Sequence, residues 1–132
     1  MTDLTASDGH TFSAYRADPV DAPKGAVVVL QEVFGVNPHI RKVADQFASK
    51  GYVAIAPSLF DRRRPGVELG YDDNSLTEGL ELMRQFGTDK ALSDIQRQRR
   101  LADSGGTDDK PYPRSRIQYC ASARQRRNIR SI

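Results

Sequence analysis

The run Gly25-Ala-Val-Val-Val-Leu-Gln-Glu32 constrains the fold of this chain more than any other segment. It has five consecutive apolar residues, three of them β-branched, and no polar alternation, so a strand built from it has to be covered on both faces, as in a parallel sheet. The residues that follow agree. Asn37 is a helix N-cap, Pro38 suits the first helical position, and Gly51 falls just past the end. Between them Ile40, Val43, Ala44, Phe47 and Ala48 form one apolar stripe at helical spacing. Tyr52-Val-Ala-Ile-Ala56 then reads as a second buried strand, stopped by Pro57. Strand, helix and strand in about 30 residues predict a right-handed βαβ unit.

The flanks extend this reading. Asp8-Gly9 separates Leu4-Thr-Ala6 from Thr11-Phe-Ser-Ala-Tyr15, which predicts an antiparallel hairpin whose two turn residues both take positive φ. Ser75 and Glu78 have the spacing of a capping box ahead of Leu76, Leu80, Met83 and Phe86, predicting a helix over 75–86. A third helix is expected from Thr88, with Ala91, Leu92 and Ile95 on its apolar side. After it the pattern stops. An α/β fold calls for another Val/Ile-rich strand next, and no such run lies downstream.

Charge marks the same boundary. Residues 1–96 contain 10 Lys and Arg against 14 Asp and Glu, a net −4, whereas residues 97–132 contain 10 against 3, a net +7. All nine Val and all five Phe precede residue 97. The chain therefore divides into a patterned α/β domain over 1–96 and an Arg-rich tail over 97–132 that is expected to be disordered. The longest aliphatic run, Ala26–Leu30, is far short of the ~20 residues of a membrane helix. No basic-then-apolar leader is present, and Cys120 is the only cysteine, so no disulfide framework forms and a cytoplasmic setting is expected.

The segment Gln31-Glu-Val-Phe-Gly-Val-Asn-Pro-His-Ile-Arg41, at a strand exit and a helix start, closely resembles the dienelactone hydrolase (carboxymethylenebutenolidase) family. The resemblance continues through Lys50-Gly-Tyr-Val-Ala-Ile-Ala-Pro-Ser-Leu-Phe60 and covers residues 1 to about 96. It implies an α/β-hydrolase fold, here incomplete, and hydrolysis of lactone or ester bonds in small carboxylate-bearing substrates through a thiolate, with no metal and no cofactor. By the same resemblance Glu32 stands beside the nucleophile and takes part in its activation, the Val33 N–H contributes to an oxyanion hole, and Phe34 lines the substrate site.

Other residues carry blander readings. His39, behind Pro38, is a surface residue of the first helical turn, and His10 is incidental to the hairpin. Arg62-Arg63-Arg64 is a solvated charge run, although it would also attract an anion.

An α/β-hydrolase needs a nucleophile on a Gly-x-Ser/Cys-x-Gly elbow, then an acid, then a His, in that chain order. No such elbow occurs in these residues, and both histidines precede every place where one would fall. Tyr119-Cys120 resembles part of the family elbow, but it lacks flanking glycines and a preceding strand-like run, so Cys120 reads as an incidental thiol. The chain is thus expected to be a truncated, inactive family member whose reading frame shifts near Gln96. A sheet that stops after its second parallel strand would also expose an aggregation-prone edge. The competing class is a non-catalytic interaction protein or an Arg-rich nucleic-acid binder, with Tyr112 and Tyr119 stacking on bases. Asp103, Asp108 and Asp109 interrupt the positive charge and weigh against nucleic acid.

Overall fold

A computed structural model of the chain describes residues 1–6, 8–86 and 95, together with the backbone of 119–120. Strands β1 (Thr2–Thr5), β2 (Thr11–Ala17), β3 (Ala26–Val29), β4 (Val53–Pro57) and β5 (Tyr119–Cys120) form one sheet in the order β1-β2-β4-β3-β5. Helix α1 spans Pro38–Ala48, a 3₁₀ turn spans Leu59–Arg62, and helix α2 spans Asp73–Arg84. The predicted βαβ unit is present: β3 and β4 pair in parallel with Val27 opposite Ala54, and α1 connects them.

All four residues of β3 and all five of β4 are buried, as unalternated apolar runs require. Val27, Val29, Ala54 and Ala56 point to the α1 side, where they meet Ile40 and Ala44 of the helix, with Val43 and Phe47 partly buried at the margin. Ala26, Val53 and Ile55 face the other way, against Ala14 of β2. Burying a valine or isoleucine of this kind contributes roughly 1.5–3 kcal/mol. Helix α1 begins as its sequence dictates, with the Asn37 side chain accepting from the His39 and Ile40 N–H groups at 3.1 and 3.2 Å.

Four details differ from expectation. The β1–β2 connection is not a two-residue turn: the Ala6 N–H donates to the His10 carbonyl at 2.7 Å and the Gly9 N–H to Ala6 at 3.1 Å. Among the described residues of this loop Gly9 alone takes positive φ, because Asp8 is relieved of that conformation by the longer loop. Helix α2 starts earlier than predicted. Asp72 is its N-cap and accepts from the Ser75 N–H at 2.9 Å, while Glu78, free of any capping role, pairs with Arg64.

The buried face of α2 also differs. Leu76, Leu80 and Met83 are 41–52% exposed, and the helix turns Gly79 and Leu82 inward instead. Leu82 packs with Phe60 and Val67, and Phe86 meets the Phe60 ring edge-on.

The fourth difference is β5. The backbone at Tyr119 and Cys120 pairs in parallel with Val28 and Val29, so β3 has a neighbour on the side where none was expected. A run need not be Val-rich to contribute two residues of backbone pairing. The rest of the Arg-rich tail, and the predicted third helix apart from Ile95, which is helical and buried, lie outside the described residues. No helix among the described residues is long and apolar enough to cross a membrane.

Candidate active site

Beyond Val29 the chain leaves the sheet at its carboxyl edge, where polar groups of neighbouring strands converge in open α/β sheets. Gln31 ties this exit to the next one: its Oε1 accepts from the Leu59 N–H, just past β4, at 2.9 Å. A tight turn follows, closed by the Gly35 N–H donating to the Glu32 carbonyl at 3.2 Å. Gly35 is obligatory twice over. Its φ of +79° disfavours a side chain, and a Cβ there would press on the Val67 backbone, 2.8 Å from the carbonyl carbon. That closeness reflects pairing of the turn with the segment after the 3₁₀ helix, through the Leu69 N–H and the Phe34 carbonyl at 2.9 Å.

The turn fixes the direction of the peptide between Glu32 and Val33. Its bond is trans and its carbonyl is held by Gly35, so the Val33 N–H points the opposite way, out of the turn. No hydrogen bond to that N–H is found among the described residues. On the far side, α2 lies directly on the Val33 carbonyl, an approach that only Gly79 permits, since a Cβ would stand 2.9 Å from the carbonyl carbon.

Glu32 is half-buried, and its Oε2 accepts from the Tyr71 hydroxyl at 3.3 Å. The Tyr71 ring is tilted against Phe34, with centroids 4.6 Å apart, and meets the edge of His39 at 6.3 Å. Asn37 Nδ2 reaches the same hydroxyl at 3.3 Å and the Leu69 carbonyl at 3.4 Å. Partial desolvation of its hydroxyl, reinforced by the charge of Glu32, raises the Tyr71 phenol above its ordinary range although most of the side chain is exposed, with the Asn37 bond opposing the shift.

The three residues singled out from sequence, Glu32, Val33 and Phe34, thus stand together at one strand exit, joined by Tyr71, Asn37 and Gln31, which the sequence reading did not assign to the site. The signal for Asn37 was its capping role. For Tyr71, in the loop ahead of α2, there was none. His39 is exposed at the edge of Tyr71, and His10 is half-buried beside the hairpin turn, stacked with Phe12. The arginine run does not converge on the site. Arg62 pairs with Asp8 at 2.9 Å, Arg63 donates to the Gln85 carbonyl at 3.2 Å, and Arg64 pairs with Glu78. Cys120 ends β5 opposite Val29, three residues before Glu32, so the expectation that no strand reaches it is corrected for the backbone. No cluster of side chains able to hold a metal occurs among the described residues.

A mixed sheet of order β1-β2-β4-β3-β5, with a polar turn at the end of β3, defines the α/β-hydrolase class. The chain belongs to the dienelactone hydrolase family, whose model matches residues 12–113. It is 42% identical over 86 residues to a Synechocystis sp. protein assigned as a carboxymethylenebutenolidase, covering 64% of this chain and 35% of that one. It is 33% identical over 94 residues to the carboxymethylenebutenolidase of Pseudomonas putida, covering 70% of this chain and 40% of the enzyme. A crystal structure from Klebsiella pneumoniae, assigned to the dienelactone hydrolases, superposes with a TM-score of 0.64 at 32% identity, over 81% of this chain and 45% of that one. The chain therefore spans less than half the length of these relatives.

Proposed function

We propose that the turn after β3 is the oxyanion side of a hydrolase site that opens lactone or ester bonds of small carboxylate-bearing substrates. The observation that carries this is the outward-facing Val33 N–H, without a hydrogen-bond partner among the described residues, beside the half-buried Glu32 carboxylate. Attack on an ester carbonyl places negative charge on its oxygen, and a fixed backbone N–H aimed at that oxygen stabilises the charge without reorganising. Glu32 supplies a carboxylate that accepts a proton from an incoming thiol or holds it in place, the role its counterpart has in the family. Phe34 and the Tyr71 ring form an apolar wall for the acyl part of the substrate.

These 132 residues supply one side of that chemistry. No Gly-flanked nucleophile elbow is present, and neither His10 nor His39 follows the position where the elbow would fall. The 132-residue chain alone accordingly does not turn over. Support for this comes from the shift at Gln96 from a patterned acidic domain to an Arg-rich tail, which is what out-of-frame translation would produce. The deciding assay is hydrolysis of a chromogenic ester by the purified chain. Background rates are expected, and turnover that disappears in Cys120→Ser would overturn the reading. Translating the other two frames downstream of the Gln96 codon tests its origin: without a strand, a Gly-x-Cys-x-Gly elbow and a late His there, the frameshift reading falls.

A further inference from the structure

We infer that Tyr71 is a positioning residue for Glu32, its hydroxyl forced by the N-cap of α1 to donate its proton to the Glu32 carboxylate. The inference rests on the reading of Glu32 as the group that acts on the nucleophile, and it starts from an amide whose orientation is settled. Asn37 is buried, and its Oδ1 accepts from two backbone N–H groups, His39 and Ile40. The other end of that amide is therefore the NH₂ group, which has protons to give and no lone pair to offer. It reaches the Leu69 carbonyl and the Tyr71 oxygen. A phenol that accepts on one side has its own single proton left for the other, and the atom there is Glu32 Oε2 at 3.3 Å. The helix cap thus sets the polarity of the chain Asn37 to Tyr71 to Glu32, with each link donating toward the carboxylate.

The ring is held as well as the hydroxyl. Phe34 packs against it at 4.6 Å, and its own backbone carbonyl is tied to Leu69, two residues before Tyr71. The phenol therefore approaches Glu32 from a direction set by the turn and not by its own rotamer alone. Titratable groups facing Tyr71 are Glu32 from the strand exit and His39 from the first turn of α1. The neighbouring Asp72 is engaged by the Ser75 N–H and hydroxyl. A tyrosine that only filled space here would not respond to these two partners in opposite senses.

The test uses the full chain labelled at tyrosine Cζ and followed by NMR through its alkaline titration, with the Tyr71 signal assigned by its loss in Tyr71→Phe. Glu32→Gln removes the nearby negative charge, so the Tyr71 midpoint falls. Asn37→Ser keeps a helix-capping oxygen and removes the donor without adding charge, so the midpoint rises. Opposite displacements support the polarised chain. A midpoint unmoved by Glu32→Gln, or left unmoved or lowered by Asn37→Ser, overturns it. The titration asks nothing of turnover, so a failed hydrolase reading leaves these displacements in place, whereas an unresponsive Tyr71 removes only the positioning role.

Discussion

Replacing Gly79 by alanine should reverse the usual effect of that change. In an exposed helix interior, glycine to alanine stabilises by about 0.8–1 kcal/mol, because the unfolded chain loses freedom. Position 79 lies in the middle of α2, but its α-carbon faces the Val33 peptide. An added Cβ would sit 2.9 Å from the Val33 carbonyl carbon and 3.2 Å from the Val33 Cβ, and would overlap the carbonyl oxygen outright. Carbon atoms settle at about 3.5–4.0 Å, so α2 or the turn must move by at least ~0.6 Å. Backbone meets backbone here, and no flexible side chain can swing aside. Overpacking of this kind costs about 1–3 kcal/mol, which outweighs the propensity gain and leaves Gly79→Ala less stable by roughly 1 kcal/mol. Urea unfolding followed by circular dichroism measures the sign, and the Val33 amide resonance reports whether the turn has moved. A variant that gains about 1 kcal/mol with an unshifted Val33 amide would refute the claim that α2 rests on this peptide.

Two further outcomes follow from groups near the turn. Asp61 is buried and accepts from the Ser13 N–H at 2.8 Å and the Gly66 N–H at 3.1 Å, so Asp61→Ala strands both donors. Urea midpoints should then register a loss of at least about 2 kcal/mol, and a loss under half of that would mean the two N–H groups find water instead. Acid should weaken the fold through its ion pairs. The Arg62 guanidinium and the His10 N–H hold Asp8 at about 2, and Arg41 lowers Glu68 below its ordinary value. Carboxylates depressed in the folded state stabilise it above their unfolded values and lose that contribution as pH falls through the folded ones. For Asp8 the loss falls between its ordinary 3.8 and about 2, so thermal midpoints of Asp8→Asn should decline less than those of the native chain across that window. Parallel curves would show that the pair adds nothing.

The parts of the fold that were legible in sequence are those where one local rule acts alone. The runs at 26–30 and 53–56 have a single way to hide their side chains, and Asn37-Pro38 caps a helix whatever surrounds it. Helix α2 was misread because two rules conflicted. Its leucines at 76 and 80 matched a helical stripe, yet the face that packs is set by Gly79, where the absence of a side chain lets the helix reach the Val33 carbonyl. Periodicity counts what is present and is blind to a contact made by what is missing. Tyr71 escaped for a related reason. It is 61% exposed in a loop without pattern, and its importance comes entirely from which side chains the fold carries to its hydroxyl. Glu32, Val33 and Phe34 were singled out through the resemblance of the segment 31–41 to the family, which an unbroken run of residues carries.

The strand order has a bearing on how the molecule comes together. Four of the five strands among the described residues are complete by Pro57, and the pairing of Val28 with Ile55 spans 27 residues, whereas that of Val28 with Tyr119 spans 91. Closing the longer interval costs about 1 kcal/mol more in chain entropy, and β5 repays it with two residues of ladder. The first four strands with α1 therefore make a local unit that can condense while later residues are still being synthesised, and β5 docks last onto an edge already formed. The turn bearing Glu32 and Val33 lies within that early unit, and its braces at Leu69 and Gly79 follow it in the chain well before β5.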